Sequence, residues 1–338
     1  MKTVFAPHLG RTVKLGRKRP IARCPRLQLR NYARLSLPTP PTSCDYGPAA
    51  KSVLDHVYLN DQLGDCVIAG GYHVVGVETG NAGALFTATD AQIIKDYSAI
   101  GGYVPGVDST DQGCDEQTAL NYWLQHGFAD GTKLAGWLAV DATNKQEVMA
   151  AMYLFENLFF GIELPDAWVN PFPAGPGFTW GVAGPPDPSN GHCIMGTGYD
   201  ASGVLVDTWG LIGHMTWDAV AKYCSTAGQG ELYVMLTPDQ LTKGQQKAPN
   251  GVSWTNLIAD FDAMGGSVPL PAPPPAPPPA PVPPAPTPNP PTPVAAPTLA
   301  QVQAWAVQKL ITGAPVMTRA QAEKSVIASL AAHWPKVP

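Results

Sequence analysis

The chain has 338 residues, 45% of them hydrophobic and 14% charged, enough apolar material for one medium domain with a full core plus extensions. Its formal charge of −5 hides a split: ten of the 21 Lys and Arg fall between Lys2 and Arg34, and no Asp or Glu precedes Asp45. Six cysteines, at 24, 44, 66, 114, 193 and 224, are too sparse for a disulfide scaffold, and no CxxC pair marks a metal site, so neither metal nor cofactor is expected. Met1-Lys-Thr-Val-Phe-Ala runs at once into Pro7, His8 and Arg11 without the apolar stretch of an export signal, and no run reaches the roughly 18 apolar residues of a membrane span. These features predict a soluble protein, cytoplasmic on synthesis.

Residues 1–50 are basic and proline-containing with little periodicity, and read as an extended arm. The arm is expected to bind by charge, either to the acidic remainder of the chain or to a partner. No aromatic-interleaved or helical pattern points to specific nucleic-acid reading.

The main domain is expected over 51–262. Its centre is Tyr58-Leu-Asn-Asp-Gln-Leu-Gly-Asp-Cys-Val-Ile-Ala-Gly-Gly71, a polar turn that feeds Cys66 onto the first turn of a helix. No charged residue follows until Glu78, and a helix apolar on all sides is a central one. Gly70, Gly71 and Gly76 each cost such a helix roughly 1 kcal/mol relative to Ala, which suggests that another backbone packs close. A cysteine at a helix N-terminus sits in the positive end of the macrodipole, which favours thiolate.

Further on, residues 91–100 read as a short amphipathic helix and 110–127 as a capped helix stopped by Gly127. Asn144 caps another helix through Leu154, and 158–164 is a strand ended by Pro165. After a Pro/Gly loop come two adjacent strands, His192–Tyr199 and Gly203–Trp209, and a last strand over 231–236. In an antiparallel pair joined by a tight turn, His192 and Asp207 are expected to be cross-strand neighbours. That would let a carboxylate fix the imidazole that activates Cys66.

From 263 to 297 the composition turns to proline, with 17 of the 37 prolines between Pro269 and Pro297. Such a stretch is a polyproline spacer of at most roughly 90 Å. In 298–338 two capping boxes, Thr298-Leu-Ala-Gln301 and Thr318-Arg-Ala-Gln321, open two short helices, a small hairpin expected to dock on a partner, a second copy or the main domain.

At these residues the chain resembles the papain-like cysteine peptidase superfamily. Asn60-Asp-Gln-Leu-Gly-Asp-Cys66 is similar to the segment before the family's central helix, and Asp111-Gln-Gly-Cys114 to its Gly-Cys loop. Gly191-His-Cys-Ile-Met-Gly-Thr-Gly-Tyr199 resembles the histidine strand, and Asp207-Thr-Trp-Gly210 stands where the family has Asn-Ser-Trp-Gly. The resemblance covers roughly 55 to 240. It implies an α+β split fold, with a helical half carrying Cys66 against a β half carrying His192 and Asp207, and substrate in the cleft at Gly113, Cys114, Gly191 and Trp209. Trp209 would shield the histidine from water. Asn60 or Gln62 would supply the oxyanion donor, a choice the register leaves open. Asp207 replaces the usual asparagine, and Asp115-Glu116 replaces the family's Gly-Gly pair, which leaves substrate preference open. The family's common bridge would need a cysteine at Leu63, so all six thiols are expected to be mostly free, although Cys24 and Cys44 could be joined if the arm folds back.

The leading expectation is a cysteine hydrolase acting on an amide bond in a peptide or a cell-wall (peptidoglycan-like) crosslink, with Cys66 as nucleophile, His192 as base and Asp207 as orienter. Two other readings stay open: an inactive papain-fold scaffold or assembly protein, and acyl transfer to an amine, as in transglutaminase-like enzymes. The modular tails look more like those of a phage-encoded or bacterial protein, which brings a virion association into view.

Overall fold

The computed structural model describes residues 2–20, 27–32 and 39–237. The chain divides into two units, Met1–Pro274 and Pro275–Pro338, and every described residue belongs to the first. The proline spacer, the two C-terminal helices and Cys24 lie outside the described residues.

The strands in chain order are β1 (Lys2–Ala6), β2 (Arg11–Leu15), β3 (Cys44–Asp45), β4 (Gly136–Ala139), β5 (Leu158–Glu163), β6 (Thr179–Trp180), β7 (Gly191–Tyr199), β8 (Gly203–Thr208), β9 (Leu211–Thr216) and β10 (Glu231–Leu236). The helices are α1 (Leu29–Tyr32), α2 (Lys51–Leu54), α3 (Cys66–Asn81), α4 (Asp90–Gly101), α5 (Glu116–His126), α6 (Lys145–Phe155) and α7 (Trp217–Tyr223). An eight-stranded sheet runs in the order β4-β10-β5-β7-β8-β9-β6, with β3 paired to β7. All its pairings are antiparallel except β6 with β9.

The sheet separates two apolar cores. Phe159, Cys193 and Met195 face the core built on α3 and α5, while Phe160, Ile162 and Ile194 face the core that holds α6 and α7. This is the period-two alternation of a sheet covered on both sides. The central helix begins at Cys66 as expected and stays buried through Glu78. Its glycines meet mostly side chains rather than the expected backbone. Gly70 and Gly71 lie against Phe159 and Phe128, and a Cβ on Gly76 would sit 2.4 Å from a Val53 methyl.

Two expectations are corrected. The helix read over 110–127 is α5, which starts at Glu116 behind an Asp115 cap. Gly113 has φ +71, and the Asp111 side chain accepts from Gly64 N and Tyr97 Oη, so this stretch is pinned as a loop. The arm is not simply extended. Val4, Ala6, Val13 and Leu15 are buried by alternation on a β1–β2 hairpin, which turns through Pro7–Gly10.

Its charges lie on the acidic body: Lys2 on Asp166, Arg11 on Asp61, Lys14 on Asp111, Arg19 on Glu163 and Arg30 on Asp141. The five cysteines among the described residues are unbridged.

Gly76→Ala should test the packing of α3. Although alanine gains about 1 kcal/mol of helix propensity, overpacking against Val53 should cost more, for a net loss of about 1–2 kcal/mol. Adding Val53→Ala should relieve the clash, so urea unfolding of the double variant should show less destabilisation than the sum of the single ones.

Candidate active site

Cys66 is the first residue of α3, after Asp65 at the cap position. The thiol is 2% exposed. It shares a small space of about 20 Å3 with Asn60, His73, His192, Asp207 and Trp209, room for about one water. What closes the site is the arm. Beyond β2 the chain crosses the sulfur at Gly16, where an added Cβ would lie 2.0 Å from Gly64 O. Only glycine passes there. Arg17 N then donates to Gly191 O at 3.0 Å and Lys18 N to Cys114 O at 2.9 Å. The Gly16 carbonyl presses on Gly113, and the Arg17 carbonyl presses on Gly191. Gly113, Cys114 and Gly191, read from the sequence as substrate-binding positions, are therefore the positions that hold the arm.

The helix dipole does not decide the state of the thiol. Burial pushes Cys66 from 9.0 up to about 12, although backbone hydrogen bonds from Cys193 and Gly16 pull the other way. That rise of 3 pKa units is worth about 4 kcal/mol, against roughly 0.3–1 kcal/mol for a charge at a helix terminus. The expected low-pKa thiolate is corrected for this arm-covered state: the sulfur is protonated at neutral pH.

His192 opens β7, opposite Ile162 of β5. Trp209 stacks on its ring at 3.8 Å and 8°, the position expected of a shield. Nε2 is 2.9 Å from Thr208 Oγ1, and Nδ1 has no hydrogen-bond partner. Burial lowers His192 from 6.5 to about 3. The expected His192–Asp207 pairing is corrected. In the register Asp207 stands opposite Met195, on the α3 side of the sheet, and its Oδ2 is 3.2 Å from His73 Nδ1. Thr208, one residue on, projects to the side of His192. Strand parity exchanges the two partners.

His73 lies two turns along α3 from Cys66. Its Nε2 is 2.9 Å from His56 O, and burial lowers it to about 4. Asp207 is pushed well up, first by burial and then by Asp55. Burial thus favours the neutral form of both groups, and Nε2–H of His73 donates to the His56 carbonyl, while the Asp207 carboxyl lies near Nδ1 without a hydrogen bond to it.

Gln62 is exposed and does not line the cavity at Cys66. Asn60 lines the cavity, and its Nδ2 donates to Leu63 O at 3.2 Å, to Asp65 Oδ1 at 3.3 Å and, at a longer 3.5 Å, to Lys14 O of the arm. Among the described residues no group of three His, Cys, Asp or Glu is placed to hold a metal, and no helix is long and apolar enough to cross a membrane.

Sequence reasoning missed Gly16, Arg17, His73, Glu116, Thr208 and Glu231. For Glu116 a signal existed, since an acid stood where the resemblance called for glycine.

No family model and no curated protein matches the chain. Among solved structures, xylellain, a cysteine protease from Xylella fastidiosa, is 14% identical with a TM-score of 0.51, covering 70% of this chain and 98% of that one. Digestive procathepsin L 3 of Tenebrio molitor larval midgut is also 14% identical, with a TM-score of 0.46, over 66% of this chain and 76% of that one. The fold is that of the papain-like cysteine proteases.

The two buried imidazoles make stability depend on pH. Above pH 6.5 they are neutral in the folded and unfolded states alike. Below it only the unfolded chain takes up protons, so stability falls with pH until His73 titrates near 4 and His192 near 3. Between pH 6 and 4 the stability difference between wild type and His192→Gln should therefore change by about 1.4 kcal/mol per pH unit. A difference independent of pH would mean a solvated ring.

Proposed function

We propose that this chain is a latent cysteine hydrolase of amide bonds, with its cleft occupied by its own N-terminal arm. Cys66 is the nucleophile and His192 the base that takes its proton. Once the arm leaves, water reaches both groups, the burial that keeps them neutral is relieved, and the helix dipole can act on the sulfur. Thiolate attack on a carbonyl gives a tetrahedral centre. His192 then protonates the leaving amine, and the acyl-enzyme is released by water. Thr208 holds the imidazole by Nε2, leaving Nδ1 for the sulfur, and Trp209 keeps the ring dry. Asn60, already directed at a main-chain carbonyl of the arm, is the side-chain donor for the oxyanion.

One observation carries this reading. The main chain of the arm is held by Cys114 O and Gly191 O on either side of Cys66, which is how a cleft built for an extended peptide holds one. The occupant is not seated as a substrate, because the carbonyls of Gly16 and Arg17 lie against Gly113 and Gly191.

The same blocked cleft favours a second reading, a papain-fold scaffold with no turnover. Displacing the arm separates the two. Gly16→Val places side-chain atoms where Gly64 O already stands and should lift the arm. Iodoacetamide should then modify Cys66 at least about tenfold faster than in the wild type, and peptide hydrolysis should appear and vanish with Cys66→Ala. A lifted arm with Cys66 no more reactive than Cys193 would leave only the scaffold. Incorporation of a labelled amine in the same variant distinguishes transfer from hydrolysis.

A further inference from the structure

One buried charge cluster is not used by the chemistry of Cys66, and it begins one residue from the sulfur. The Arg17 side chain leaves the arm just after Gly16 and is wholly buried between α5 and β10. Its Nε donates to Glu116 Oε2 at 3.1 Å, Nη2 to Glu231 Oε1 at 2.7 Å, and Nη1 to Gln229 O at 3.1 Å. Tyr233 Oη and Gln117 Nε2 donate to Glu231 Oε2 at 2.5 and 3.3 Å and hold that carboxylate in place. The room comes from β5. A Cβ on Gly161 would stand 2.4 Å from Glu116 Oε1 and 2.7 Å from Arg17 Nε.

The two acids of the pocket are pushed in opposite directions. Burial and Glu231 push Glu116 well up. Burial also works on Glu231, but the hydrogen bond from Glu116 and the Arg17 charge more than offset it and hold it low. Three nitrogens of the planar fork are each aimed at an oxygen. A lysine offers one nitrogen where this pocket has three acceptors. With the arm gone, two carboxylates would face each other in a buried hole, a state that takes up a cation.

We propose that the pocket of Glu116, Glu231 and Gln229 O is a specificity subsite of the Cys66 cleft for the arginine side chain of a peptide substrate, with Arg17 as its resident occupant. The proposal rests on the reading of Cys66 as a nucleophile, and it assigns that reading a substrate class. Arm and substrate then compete for the same hole. A cation serving only to fasten the arm would not have to emerge beside the sulfur, between the carbonyls of Cys114 and Gly191 that receive the main chain.

The test uses the full chain carrying Arg17→Gln and a fluorescein-labelled peptide with the sequence of Leu15–Arg19. A second peptide has citrulline, a neutral isostere, at the arginine corresponding to Arg17. Anisotropy should show the arginine peptide binding at least about tenfold more tightly, as expected for a charge-assisted fork in a buried site. Glu231→Gln added to the same chain should erase the difference. Equal affinities overturn the proposal. Should Arg17→Gln fail to fold, the same ratio is read on Gly16→Val, in which the backbone clash lifts the arm and withdraws Arg17 from the hole. Arginine preference in binding with no turnover of any peptide keeps the subsite and removes the hydrolase. Turnover without arginine preference does the reverse.

Discussion

The ion cluster of Arg17 with Glu116 and Glu231 is the constraint on which the site depends. It joins three parts of the chain that are far apart in sequence: the basic arm, the first turn of α5 and the first residue of β10. Buried charges are costly, and a cluster of this kind is worth little compared with apolar packing of the same volume. Losing one member is different, because an uncompensated buried charge costs about 3–5 kcal/mol. The cluster therefore acts less as glue than as a register. It allows one placement of the arm, and that placement puts Gly16 over Cys66.

From that placement follows the state of the site. A cysteine at the start of a helix is a poised nucleophile only while water and a protonated base can reach it. Covered by Gly16, the same sulfur is governed by desolvation, and so is the imidazole of His192. Both are neutral, with Nδ1 of the ring unpartnered beside them. On the proposed reading, activation is a change in what lies above the two side chains.

The sheet contributes a second layer. Thr208 and Asp207 are neighbours in sequence and lie on opposite faces of β8, so one reaches His192 and the other reaches His73 on α3. The short contact between Trp209 and His192 fixes the ring plane, and the hydroxyl of Thr208 holds the ring at Nε2. The carboxylate at 207 is pushed toward its neutral form by burial, which removes the charge that would have stabilised an imidazolium directly.

The sequence by itself determined what local chemistry and periodicity can carry. An apolar run with no charge from Cys66 to Glu78 had to be a central helix. Asn144 had to cap a helix, whereas the cap at Asp115 and the start of α5 beyond Gly113 came only from the structure. The alternation in β7 had to make a strand, and the excess of arm charge over an acidic body foretold their contact. Cys66, His192 and Trp209 were readable because they sit at fixed offsets from such signals. Tertiary structure decided the rest. Whether a residue near a strand end faces one layer or the other depends on register, and one step of parity gave His192 to Thr208 and Asp207 to His73. That an arm without helical pattern would form a hairpin, pass the sulfur at Gly16 and bury Arg17 depended on Gly64, Gly113 and Gly161 leaving space for it. No window of local sequence contains such a fact, because the space belongs to residues roughly 50 to 145 positions away.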